Sequence, residues 1–235
     1  MRDPIRHFAA EFVGTFALVF VGGGAIFLST IPGSNVGLVD VALAHGLILA
    51  VMVTATMRVS GHLNPAVTFG FLLTRRIAPM MAGVYLAAQL LGAIAAAYLH
   101  KLLFPAALYG AAMGGVQLVA SNVTSTQAYL LEAVATFFLV FVVFGTAVDE
   151  HAPRVGGMAI GLTLTAAILA IGPLTGASLN PARSFGPAIA SGIFTGNLIY
   201  WVGPLLGGGV AGLLYDWLFL RRGIEPVDHG PLEPV

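Results

Sequence analysis

Gly61-His62-Leu63-Asn64-Pro65-Ala66-Val67 and Ala177-Ser178-Leu179-Asn180-Pro181-Ala182-Arg183 are two versions of one phrase, with their asparagines 116 positions apart. Asn followed by Pro is a helix-start signature. The Asn side chain caps free N–H groups, and Pro at the first helical position forfeits no hydrogen bond. Each phrase opens a short apolar run, over residues 64–74 and 180–193. At ~1.5 Å per residue, a helix of about ten residues covers ~15 Å, half the hydrocarbon thickness of a bilayer. These runs read as half-helices that enter a membrane and stop at its middle.

The rest of the chain supplies the membrane. Of 235 residues, 58% are hydrophobic and 9% charged, with 10 Lys+Arg against 10 Asp+Glu, and the mean hydropathy is +0.93. A soluble domain carries about 25% charged residues, so this composition cannot cover a water-soluble globule. It also lacks the basic face a nucleic-acid binder needs, and a net charge of zero excludes a basic membrane-surface peptide. With no cysteine, disulfides, thiolate metal sites and Cys nucleophiles are excluded. Six stretches are long and apolar enough to span, at 8–29, 40–57, 80–104, 127–148, 156–173 and 197–220. The first holds Glu11 and has no small-residue cleavage site before Pro32, so it reads as a retained span. Arg2, Arg6, Arg58, Arg75, Arg76, Arg154, Arg221 and Arg222 fall on one side of a six-span drawing, and Lys101 lies near the other. That bias places both termini in the cytoplasm, and the protein is expected in a cell (plasma or inner) membrane.

The chain also repeats itself upstream of each Asn-Pro-Ala. Ala10-Glu11-Phe12-Val13-Gly14-Thr15-Phe16 matches Leu131-Glu132-Ala133-Val134-Ala135-Thr136-Phe137. Glu11 precedes Asn64 by 53 positions, and Glu132 precedes Asn180 by 48. Each half holds three spans and one half-helix. Three is odd, so the second half enters from the opposite face. The expected architecture is all-α, with six transmembrane helices plus two re-entrant half-helices in an inverted 3+3 repeat. It forms one channel domain over 1–235, with repeats at about 8–104 and 127–220. Interrupted segments at matching positions point to a site at the midplane.

A helix N-terminus carries about +0.5 elementary charge. Two such ends meeting at the midplane make a positive point in a dry region, formed by Asn64, Pro65, Ala66, Asn180, Pro181 and Ala182. The Asn carbonyls are expected to cap the half-helices, leaving the NH₂ groups free to donate into the passage. A water accepting both bonds turns its hydrogens away along the axis, which repels cations and interrupts proton hopping. Arg183 stands one turn beyond Asn180, toward the outer mouth, and a charge in a span is costly and functional. Glu11 and Glu132, one per half, are expected to accept N–H groups from the unwound backbone leading to the half-helices, with a proton relay as the alternative. His62 is assigned to the same scaffold, with a pore-side place left open. His7, His100, His151 and His229 are expected to be solvated or interfacial. Gly83, Gly92, Gly203, Gly207 and Ala211 are expected to permit close helix crossings.

These motifs resemble the aquaporins, the major intrinsic protein family: Gly61-His62-Leu63-Asn64-Pro65-Ala66-Val67-Thr68, and Leu179-Asn180-Pro181-Ala182-Arg183-Ser184-Phe185-Gly186-Pro187. The resemblance extends from residue 8 to about 220. It implies one pore per subunit, a homotetramer in lipid, and no cofactor, metal or enzymatic step. The family's outer constriction falls on His45, Ile168, Ala177 and Arg183, although strict counting back from the first motif, where Gly61 abuts His62, puts Ala44 in place of His45. A His/Ile/Ala/Arg set is similar to the plant tonoplast-type channels. It implies a passive channel for water, with ammonia, hydrogen peroxide and urea as further candidates. The glycerol-conducting branch usually has Asp after the filter Arg, where this chain has Ser184, and Ala188 and Tyr200-Trp201 are similar to the water-type branch. A glycerol facilitator is therefore the weaker reading. A secondary transporter is weaker still, because no carboxylate pair faces the midplane. An intramembrane hydrolase would require a Ser–His or His/Glu metal set that does not occur.

Overall fold

The computed structural model describes residues 3–152 and 155–220. Arg2, Arg154, Arg221, Arg222, His229 and the Pro-rich tail from Glu225 lie outside the described residues. The regular elements of the described residues are helices: α1 (Pro4–Ser29), α2 (Leu38–Thr56), α3 (Pro65–Leu73), α4 (Pro79–Leu103), α5 (Ala106–Ala111), α6 (Ser125–Val143), α7 (Gly156–Thr175), α8 (Pro181–Ser191) and α9 (Ile199–Tyr215). A π turn extends α6 over Phe144–Val148, and another extends α9 over Asp216–Leu220. Six of these helices are long and apolar enough to cross a membrane. The half-helices are α3 and α8.

Local chemistry sets the boundaries. α1 begins four residues earlier than its apolar run, because Asp3 accepts the Ile5 N–H at 3.0 Å and Pro4 takes the first helical position. Thr124 and Gln127 form a reciprocal capping box at the start of α6. α7 and α8 end on Gly176 (φ 79) and Gly192 (φ 78), both left-handed, a conformation open to glycine at little cost. The short helix α5 follows Pro105 and has no counterpart in the sequence reading, since its six residues are too few to show periodicity.

The packing follows the repeat. α1 pairs with α4 and α6 with α9, while α2 and α7 face each other across the centre. Each half-helix then lies chiefly on the other half's last span, α3 on α9 and α8 on α4. Small residues bring these backbones together. A side-chain carbon at Gly92 would strike the Phe12 carbonyl, and one at the equivalent Gly207 would strike the Ala133 carbonyl. Gly203 closes on Glu132 and Tyr129, and Ala211 is fully buried. Gly83 differs from expectation, because it is exposed and a carbon there would meet nothing within 4 Å. It lies on the outward face of α4, where no helix approaches.

Two histidines also differ. His7 is buried against Tyr85, to whose hydroxyl its Nδ1 is hydrogen-bonded. His100 is buried among Phe20, Phe27 and Phe104, and its Nε2–H donates to the Phe20 carbonyl at 2.8 Å. Proximity to a span end does not expose a ring whose neighbouring helix offers a glycine-sized recess. His151 is exposed as expected.

On the Arg58 side, Arg76 follows α3 and grips Asp216 at the end of α9, with Nη2–Oδ1 at 2.8 Å. Asp216 is buried, so the pair ties the half-helix to its supporting span. Removing the guanidinium takes one charged partner from a buried carboxylate, at about 1–3 kcal/mol. Arg76→Ala is therefore expected to lower the thermal unfolding midpoint of the purified protein by several degrees, and an unchanged midpoint would show the pair to be idle.

Candidate functional site

The site begins with two carboxylates that hold unwound chain. Glu11 is fully buried in α1. Its Oε1 accepts the Ser60 hydroxyl (2.7 Å) and the N–H groups of Gly61 (3.0 Å) and His62 (2.8 Å). Its Oε2 accepts the Leu63 N–H and the Gln89 amide, both at 2.7 Å. Glu132 does the same in α6, accepting the Thr175 hydroxyl (2.7 Å), the Ser178 N–H (2.9 Å) and the Leu179 N–H (2.8 Å). These bonds offset backbone strain. Leu63 (φ 51), Ala177 (φ 43) and Leu179 (φ 53) are left-handed without being glycine, which costs roughly 1–2 kcal/mol per residue. With their N–H groups turned to the carboxylates, the carbonyls of Leu63 and Leu179 turn toward the centre.

There the two asparagines meet. Asn64 Oδ1 accepts the Ala66 N–H (2.8 Å), and Asn180 Oδ1 accepts those of Ala182 (3.0 Å) and Arg183 (3.2 Å). Pro65 and Pro181 take the first helical positions, and Ala66 and Ala182 are fully buried. The amide nitrogens cross over. Asn64 Nδ2 donates to the Leu179 carbonyl and Asn180 Nδ2 to the Leu63 carbonyl, each at 2.8 Å. This corrects the expectation that both NH₂ groups are wholly free. A primary amide has two N–H donors. One clasps the opposite loop, fixing the rotamer, and one per asparagine remains for an occupant.

One turn outward, Arg183 is buried at 3% exposure. Its Nη1 donates to the Ala177 carbonyl at 2.9 Å and its Nη2 to His45 Nε2 at 3.0 Å. His45 Nδ1 lies 2.8 Å from the Val41 carbonyl. Arginine only donates and a carbonyl only accepts, so the ring is the neutral tautomer with its proton on Nδ1. His45, rather than Ala44, is thus the α2 residue that reaches Arg183. Ala177 takes part through its carbonyl, its methyl being fully buried. Ile168 stands just outside, on the wall of the outer chamber.

Three cavities lie in series along this line. An inner chamber of about 600 Å³ is bounded by Arg58, Gly61, His62, Val143 and Ile160. A waist of about 10 Å³ shares Gly61, His62, Val143 and Ile160 with it, and is also lined by Leu49, Asn64, Asn180 and Arg183. An outer chamber of about 420 Å³ begins at Arg183 and is bounded by Val41, Gln117, Ile168 and Gly176. A space of ~10–15 Å³ holds one water, so the waist admits small occupants one at a time. Its side-chain walls are aliphatic except for the amides, the guanidinium, His62 and Ser178. The His62 Nδ1 meets Thr68 Oγ1 at 3.1 Å. His62 therefore belongs to both the scaffold and the lining.

Several participants were missed from sequence. Gln89, the lone amide within the apolar run of α4, bonds both Glu11 and Thr68 Oγ1 (3.0 Å), and its isolation was a legible signal. Ser60 and Thr175 supply hydroxyls to the two carboxylates, and the Tyr200 hydroxyl holds the Thr175 carbonyl at 2.8 Å. Gln117 reaches the outer chamber from a loop that carried no motif. Among the described residues, no three His, Asp or Glu side chains gather as a metal site.

Comparisons with known proteins agree with this geometry. The family model described as "Major intrinsic protein" matches residues 2–215. The chain is 45% identical over 239 residues to Aquaporin TIP4-4 of Zea mays, covering 97% of this chain and 90% of that protein. It is 42% identical to Probable aquaporin TIP3-2 of Arabidopsis thaliana, covering 99% and 91%. Its fold is similar to the X-ray structure of the aquaglyceroporin from Plasmodium falciparum, with a TM-score of 0.79 and 26% identity over 92% of this chain and 97% of that one. A family match over nearly the whole chain, joined to paired capped half-helices that meet above a one-water waist, means that the chain belongs to the major intrinsic protein family.

Proposed function

We propose that the protein is a passive transmembrane channel that carries water in single file, without any covalent step, together with small neutral solutes such as ammonia, hydrogen peroxide and urea. The observation that carries this is the waist of about 10 Å³ between the asparagine pair and Arg183. It fits one water and offers three sets of donors along one wall. Asn64, Pro65, Ala66, Asn180, Pro181 and Ala182 form the central constriction. His45, Ile168, Ala177 and Arg183 form the outer filter. Glu11, Glu132 and His62 support them. Two half-helix N-termini and one guanidinium put only positive charge on the waist, which excludes cations. Donors flanking a central water hold its oxygen, so protons cannot relay through it. The names of the aquaporin relatives support the same reading.

The unit is one channel domain built of the two repeats, and its setting is a homotetramer in lipid. Apolar stripes on the outside of the single chain, such as Val39, Leu43, Leu47 and Val51 on α2, support that setting. Arg6, Arg58 and Arg75 on one side support cytoplasmic termini.

Stopped-flow shrinkage of vesicles containing the purified protein tests the proposal. Water flux is expected to be fast, unsaturable, weakly temperature-dependent and indifferent to ion gradients. Flux that saturates and needs sodium or protons would make the protein a carrier. Parallel uptake of ammonia, peroxide, urea and glycerol ranks the solutes, and glycerol above urea would move the reading to a glycerol facilitator.

A further inference from the structure

We infer that Gly22 is a specificity-determining position of this channel, because it is the recess that lets the His45 imidazole reach Arg183. The inference rests on the filter assignment above. Gly22-Gly23-Gly24 lies in the C-terminal third of α1, which runs through it unbroken, although glycine is among the poorest helix formers. The three are not equivalent. A side-chain carbon at Gly22 would lie under 3.0 Å from Nε2, Cδ2 and Cε1 of His45, a separation that real carbon contacts do not show. At Gly23 it would collide with the His100 ring in the same way. At Gly24 its nearest neighbour would be Phe104 Cζ at 3.4 Å, an ordinary contact. Two successive glycines thus seat two histidines from different helices, His45 from α2 and His100 from α4, while the third seats nothing.

A flexible side chain could yield to an added methyl group, but His45 is fixed at both ends. Nδ1 is held by the Val41 carbonyl at 2.8 Å and Nε2 by Arg183 at 3.0 Å, and the ring is 1% exposed. The edge a methyl at position 22 would meet is the edge that receives the guanidinium. Any displacement costs one of the two bonds, and loss of the Nε2 contact leaves Arg183 held only by the Ala177 and Gly176 carbonyls. Residue 22 touches no solute. It acts as a positioning residue, setting where both polar side chains of the filter stand.

The experiment compares water and urea permeability in vesicles for the wild type, Gly22→Ala, Gly24→Ala, His45→Ala and Gly22→Ala/His45→Ala. Gly24→Ala is expected to match the wild type. Gly22→Ala is expected to lower water permeability about tenfold, the size of losing one hydrogen bond to a charged group, because the displaced ring takes filter space. His45→Ala is expected to raise urea relative to water, and the double variant to match His45→Ala, since the added methyl then has room. Wild-type permeability in a folded Gly22→Ala protein, beside a changed His45→Ala, would overturn this inference alone. An unchanged ratio in His45→Ala would overturn the filter assignment instead. If Gly22→Ala does not accumulate in the membrane, the double variant is expected to restore it, and failure to restore it would overturn the socket.

Discussion

Replacing Glu11 with alanine is expected to leave almost no folded channel in the membrane. The carboxylate collects five donors from Ser60, Gly61, His62, Leu63 and Gln89. Three of them are backbone N–H groups of a strand of chain that has no other secondary structure to satisfy it. Each buried donor left unpaired costs about 1–3 kcal/mol. The left-handed Leu63 loses the anchors that hold it in place. Together these reach on the order of 5 kcal/mol, comparable to the entire net stability of many domains. The measurement is the amount of protein extracted as a single species, followed by its thermal unfolding. Glu11→Gln should fall between alanine and wild type, because one amide oxygen still accepts while the NH₂ faces donors. Wild-type yield and permeability for Glu11→Ala would show that the segment before Asn64 holds its shape unaided.

Arg183→Ala is expected to fold but to lose discrimination. The guanidinium fills the outer end of the waist and bridges Ala177 to His45. Without it, urea and glycerol pass more readily relative to water. Its charge also opposes cations. At ~4 Å and an effective dielectric constant of about 20, that repulsion is ~4 kcal/mol. Cation leak should rise on the order of a thousandfold once the half-helix ends are the only barrier left. Arg183→Lys keeps the charge but replaces the planar fork with a point donor. It should therefore preserve cation exclusion while shifting the solute ratio. Solute uptake and ion conductance measured on the same vesicles separate these effects. An unchanged solute ranking in Arg183→Ala would remove Arg183 from the filter.

The parts of this architecture legible in the sequence were those written in local chemistry. Asn-Pro marked two helix starts, their apolar runs were too short to span, and a glutamate stood at a matching place in each half. A buried carboxylate must find N–H groups, since no cheaper fate exists for such a charge inside a membrane, and the bonds of Glu11 and Glu132 follow from that. Contacts set by helix crossings were not legible. Nothing local to Asn64 shows that one of its amide protons is spent on the Leu179 carbonyl, 115 residues away. His100 sits near the end of an apolar run as an interfacial histidine would, and only the meeting of α1 and α4 reveals the recess at Gly23 that takes it in. The glycine triplet itself was visible, but which of its members matters depends on what lies opposite each one.

The crossed seating of the half-helices has a consequence for how the chain is made. α3 leaves the ribosome early, yet the span it rests on, α9, emerges last, whereas α8 finds α4 already inserted. The first re-entrant segment must therefore wait, with its apolar surface provisionally covered, until the C-terminal span arrives and locks it. A nascent chain halted before that span would hold most of the residues of the conduit and still lack the main seat for α3.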